Sequence, residues 1–80
     1  MTSHEKPGGT VKVIELVGSS PSSFSDAVRN AVKTASKTIR NIQGVEVYSS
    51  TASVGDTGDI VNYKVQVKIA FLIDEGQSAS

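Results

Sequence analysis

Few residues in this chain have the chemistry to act on a ligand, and they are easily enumerated. His4 is the only histidine, and there is no cysteine or tryptophan, so neither a Ser-His nor a Cys-His nucleophilic arrangement can be assembled on rigid elements. The carboxylates Glu15, Glu46, Asp56, Asp59, Asp74 and Glu75 are hard-cation ligands by type. Their spacing matches no calcium loop, and no metal set can be read from one chain. Gly18-Ser19-Ser20-Pro21 presents amides and hydroxyls at the head of a predicted helix, where they either cap the helix or receive a phosphate or carboxylate. The motif lacks the repeated glycines and the lysine of a P-loop. Tyr48 and Tyr63, with Phe24 and Phe71, are the only rings able to stack on a planar ligand. Lys64, Gln66 and Lys68 form a polar stripe beside them. This set argues for binding and against an enzyme.

Eighty residues with equal numbers of basic and acidic side chains permit one domain, of a size that buries only about 60% of its unfolded surface. With no disulfide and no metal motif to supplement so small a core, oligomerisation is the expected remedy. The charges are interspersed, so no footprint for nucleic acid is visible. No apolar run reaches the length of a membrane span, and the polar segment from Met1 to Gly9 has no signal-peptide character. A cytoplasmic protein is the default expectation.

The elements that must position these residues follow from periodicity. Residues 1–9 and 74–80 read as flexible tails and 10–73 as one domain. Thr10 to Val17 is rich in β-branched residues and predicts a strand, with Glu15 its one awkward member. Ser20 and Pro21 predict a helix cap and first helical position. From there Phe24, Ala27, Val28, Ala31, Val32, Ala35, Ile39 and Ile42 recur at steps of three and four, predicting a helix of some twenty residues that ends at Gln43-Gly44. Asp26 near its start, and Lys37 with Arg40 near its end, suit the helix dipole. The alanines on its apolar face allow close approach to a sheet. Val45 to Val54 predicts a second strand, Gly55 to Asp59 a turn, and Ile60 to Ile73 a third strand, in which every odd position is apolar. A right-handed crossover places the third strand between the first two, antiparallel to both. About 45 Å long at 3.3 Å per residue, the third strand exceeds the helix it covers, so its apolar face, Val67 and Ile69 in particular, is expected to support assembly.

The segments Val13 to Pro21, Ala35 to Ile42, Val45-Glu46-Val47 and Tyr63 to Phe71 together resemble the dodecins, with element order and loop lengths intact from Lys12 to Ile73. The resemblance implies an α+β fold, β-α-β-β, with a three-stranded antiparallel sheet wrapped around one helix, assembled as a hollow homododecamer. It also implies flavins bound in pairs at subunit contacts, each stacked on a Trp just after the helix and hydrogen-bonded by a Gln on the last strand. Gly44 stands at the Trp position and Lys64 at the Gln position, leaving Tyr48 as a substitute stacker. The implied function is a cage that binds, stores or sequesters a small molecule, riboflavin or FMN by family expectation. The alternatives are a flavin-free shell holding a divalent cation or another small molecule, and a purely structural oligomer. No nucleic acid or membrane partner is expected.

Overall fold

The chain follows its hydrophobic periodicity closely in the strands and less closely at the two ends of the helix. A computed structural model describes residues 9–73, and the expected tails, with His4, Asp74 and Glu75, lie outside them apart from Gly9. Within that span the order is β1 (Thr10–Ser20), α1 (Phe24–Ser36), β2 (Ile42–Val54) and β3 (Ile60–Ile73). The sheet order is β1-β3-β2, antiparallel at both contacts, as the crossover argument requires.

β1 is longer than the sequence suggests and runs on through Gly18 and Ser19 to Ser20, opposite Tyr63 of β3. Ser20 is therefore not the helix cap, and Pro21 is not the first helical residue. The cap is Ser23, whose Oγ accepts from the Asp26 amide at 3.0 Å. Ser20 is buried instead; its hydroxyl donates to Asp26 Oδ2 at 2.8 Å and accepts from the Ser22 amide at 2.9 Å. Three serines thus satisfy the corner that joins strand to helix, a job that one serine was expected to do.

The helix also ends early, after 13 residues. Thr38 and Ile39 both donate to the carbonyl of Ala35, closing the last turn. Asn41 then takes a positive φ of 63° and its carbonyl accepts from Leu72 on β3. Asparagine tolerates the left-handed region better than most residues, so the reversal expected at Gln43-Gly44 happens at Asn41. Gly44 and Ile42 belong to β2. Lys37 is the C-cap residue, and Lys33 is the basic side chain of the last turn.

One face of the sheet receives the helix. Ala27, Ala31 and Ala35 pack on Val65, Val67 and Ile69, all six buried, with Ile14, Leu16, Val28, Val32, Ile39 and Ile42 around them. The approach is tight enough that a Cβ on Gly18 would lie 2.3 Å from the Ala27 carbonyl oxygen and 2.8 Å from the Ala31 Cβ. Phe24 meets Tyr63 edge-on at 4.9 Å and covers the N-terminal end of this layer. Val67 and Ile69, read from sequence as assembly contacts, are wholly buried under the helix of their own chain. An Asp at either would unfold the protomer before it affected any interface.

The helix lies over β1 and β3 and scarcely reaches β2. Val45 and Val47, on the same face as the core, consequently remain exposed, as do Val11, Val13 and Val17 on the opposite face. The molecule is a plate of 55 × 29 × 14 Å with a radius of gyration of 16.3 Å, against about 11–12 Å for a compact domain of this length. Such a plate has too little interior to hide its apolar residues, and both edges of the sheet are open.

Gly18→Ala is expected to destabilise the protein by about 1–3 kcal/mol through overpacking, read as a lowered midpoint in chemical denaturation. An unchanged midpoint would mean that helix and strand separate without loss.

Candidate functional site

Alternation along the strands gives the sheet a second face, turned away from the helix. On β3 it carries Lys64, Gln66, Lys68 and Ala70; on β1, Val13, Glu15, Val17 and Ser19; on β2, Gly44, Glu46, Ser49 and Thr51. Glu15 and Glu46 both pair in register with Lys68, so one row across the sheet reads carboxylate, ammonium, carboxylate. The next row toward the N-terminal end of β2 is Val13, Ala70 and Gly44, small and apolar.

These two rows and Val45 line an open groove of about 660 Å3. Gly44 sits at its rim, and a Cβ built there meets nothing within 4 Å. The position can therefore carry a large side chain, and it leaves an unfilled space where the sequence resemblance puts an aromatic ring.

Tyr48 borders the charged end of the groove. A bulge between Val47 and Ser49 gives Tyr48 no partner on β3, and a bulge of this kind re-aims a side chain. The phenol donates to Glu15 Oε1 at 3.1 Å, and Lys68 Nζ lies 5.2 Å from the centre of the ring. The tyrosine thus spans from β2 across β3 to β1, and a cation–π contact supports it in the middle. Partial desolvation first, then the hydrogen bond to Glu15 and the charge of that carboxylate, raise the phenol above its ordinary value of 10.0.

Of the three residues singled out from sequence, Gly44 and Tyr48 share this region. Lys64 lies on the same face but pairs with Ser19 and Thr51, six residues along β3 from Ala70 and about 20 Å away at 3.3 Å per residue. One chain does not bring Lys64 and Gly44 to a common ligand. Glu15 and Lys68, which hold the tyrosine, were legible only as an out-of-place acid in a strand and as one member of a polar stripe.

The helix N-terminus, a second candidate, is occupied by its own side chains. Ser23 Oγ takes the Asp26 amide, the Ser23 carbonyl takes the Ala27 amide, and the Asp26 carboxylate lies beside Ser20 and Arg29. An anion there would meet Asp26, and the cap is Ser23, outside the Gly18-Ser19-Ser20-Pro21 motif. Among the described residues no group of three or more His, Cys, Asp or Glu is arranged to hold a metal ion, and no helix is long and apolar enough to cross a membrane.

A β-α-β-β plate with open edges, exposed valines and a shallow groove defines a class of small ligand-binding modules that are completed by their own copies. The dodecin family model matches residues 10–74, and the chain belongs to that family. Dodecins are small ligand-binding storage proteins that assemble as dodecamers. The chain is 31% identical to the dodecin of Thermus thermophilus over 68 residues, which cover 85% of this chain and 97% of that one. It superposes on the dodecin of Streptomyces coelicolor with a TM-score of 0.81 and 35% identity, covering 86% of this chain and 97% of the other. A calcium-chelating antigen of Mycobacterium tuberculosis, described as a calcium dodecin with a novel calcium-binding site, matches at a TM-score of 0.71 and 28% identity over 81% and 91% of the two chains.

A raised phenol favours the protonated ring in the folded chain. The contribution of the Tyr48–Glu15 contact is therefore whole below the unfolded phenol's value near 10, and it is lost as pH rises through the higher folded value. In a Tyr63→Phe background, where Tyr48 is the one remaining tyrosine, the phenolate absorbance should appear above pH 10. Glu15→Ala should return it toward 10. A midpoint that ignores this substitution would show that the contact does not form in solution.

Proposed function

We propose that this protein is a homododecameric dodecin that binds and stores a small planar ligand, with a flavin (riboflavin or FMN) as the family expectation and a weakened grip on it. The observation that carries the reading is the open groove at Gly44. It has one small apolar row, Val13, Ala70 and Gly44, and no side chain at the position where the resemblance puts a Trp. Stacking on an aromatic ring contributes about 1–3 kcal/mol per base in nucleic-acid proteins, so removing such a ring weakens binding by roughly one or two decades. Lys64 at the position of the family's Gln donates to a ring carbonyl but does not accept from a ring N–H. Because Lys64 is remote from Gly44 within one chain, any ligand touching both lies between two protomers. The exposed Val45 and Val47 of β2, together with Val11, Val13 and Val17, are the surfaces we assign to those contacts. A soluble cytoplasmic shell, with no nucleic-acid or membrane partner, completes the reading.

A second reading is a flavin-free shell that holds a divalent cation. It is favoured by Glu15 and Glu46, which sit on either side of Lys68 in one row, and by the calcium-chelating relative. One chain supplies too few oxygen ligands for calcium, which takes 6–8, so this site also requires several copies around a symmetry axis.

Riboflavin and FMN fluorescence titrations of the assembled protein test the first reading. Quenching at micromolar concentrations is expected, with affinity raised roughly tenfold or more by Gly44→Trp. Calcium that stabilises the protein, combined with no quenching by either the natural chain or Gly44→Trp, would shift the assignment to the second reading.

A further inference from the structure

We propose that the aromatic platform for a planar ligand has moved in this chain from position 44 to Tyr48, and that Glu15 is the positioning residue that holds the ring in place. The proposal rests on the reading of the protein as a ligand-binding shell and names the ligand class as planar heteroaromatic rings. Three observations carry it. The bulge between Val47 and Ser49 frees Tyr48 from pairing and brings its side chain over the sheet. The ring is then fixed at both ends, by its own strand on one side of β3 and by Glu15 Oε1 on β1 at 3.1 Å on the other. Lys68 Nζ supports its underside, 5.2 Å from the ring centre.

A platform needs a ring that does not turn over, one supported face and one open face. Tyr48 meets all three conditions, with 43% of its surface exposed. Next to it lies the small apolar row of Val13, Ala70 and Gly44, and a Cβ built at Gly44 would meet nothing within 4 Å. A tyrosine anchored only at its backbone would sample several rotamers and lose that order on binding, at a cost in affinity. The Glu15 hydrogen bond removes that freedom in advance.

The test is a double-mutant cycle read by riboflavin fluorescence and, in parallel, by proflavine, a planar dye that is not a flavin. Tyr48→Ala should weaken binding roughly 10- to 100-fold. Tyr48→Phe keeps the ring but not the tether and should weaken it several-fold, as should Glu15→Ala. The two together should be no worse than either alone, because they remove the same hydrogen bond. Glu15→Gln, whose amide oxygen still accepts from the phenol, should restore binding, which a general loss of stability would not allow. If riboflavin is not bound but proflavine binds in a Tyr48-dependent way, the flavin assignment falls and the platform stands. Binding indifferent to Tyr48→Ala, additive effects of Tyr48→Phe and Glu15→Ala, or failure of both probes would overturn the platform. Should Tyr48→Ala fail to assemble, the cycle between Tyr48→Phe and Glu15→Ala decides alone.

Discussion

The close approach of Gly18 on β1 to Ala27 and Ala31 on α1 is the constraint from which the rest of the molecule follows. Gly18 lets the helix backbone come so close that no Cβ fits between them. Ala27, Ala31 and Ala35 then reach the valines and isoleucine of β3. A helix held this close is well packed but covers little area. It shields β1 and β3 and leaves β2 almost bare, and a plate 14 Å thick has no second layer to complete the core. Burial is the main favourable term in folding, and a small domain begins with little of it. On the proposed reading, the exposed valines on both faces of the sheet are where other copies complete the core. On that reading oligomerisation follows from how the single chain packs, and the proposed ligand site depends on it.

The same economy shapes the groove. The face away from the helix has no core to bury, so its residues are free to carry charge and to remain small. Lys68 between two glutamates, and Gly44 beside Ala70 and Val13, make a surface with one polar end and one smooth end. Tyr48 joins the two outer strands across the middle one. Among the described residues it is the only aromatic ring on this face, and its tether is polar, whereas the cluster under the helix on the opposite side is made of alanine, valine and isoleucine. All buried side-chain polar atoms among the described residues have partners, so the contacts of this outer face are not repairs of a defective core.

Much of the fold is visible in the residues because its determinants are local. The alternation of β3, the Gly55–Asp59 turn and the alanine spacing each lie within one element, and the strand order follows from connection handedness. The helix ends are harder to read because competing local signals are present. Ser20-Pro21 is a good cap in isolation, yet Ser20 is needed opposite Tyr63, and Ser23 takes the role. Ile39 and Ile42 continue the helical spacing by coincidence, whereas Asn41 provides the actual reversal with a left-handed backbone that a residue count does not reveal. Gly44 resembled a helix terminator and is a strand residue. The Tyr48–Glu15 contact joins residues 33 apart in the chain and depends on a bulge, so nothing local announces it. Glu15, out of place in a strand rich in β-branched residues, is the one hint.

The most direct measurement of the central claim is the mass of the protein in solution by light scattering, at concentrations down to the micromolar range. Twelve chains of 8.4 kDa give about 100 kDa. A single species of that mass, with cooperative loss of structure and assembly together in denaturant, is the expected result. A folded monomer at the mass of one chain would show that the plate is stable without partners and would contradict the account.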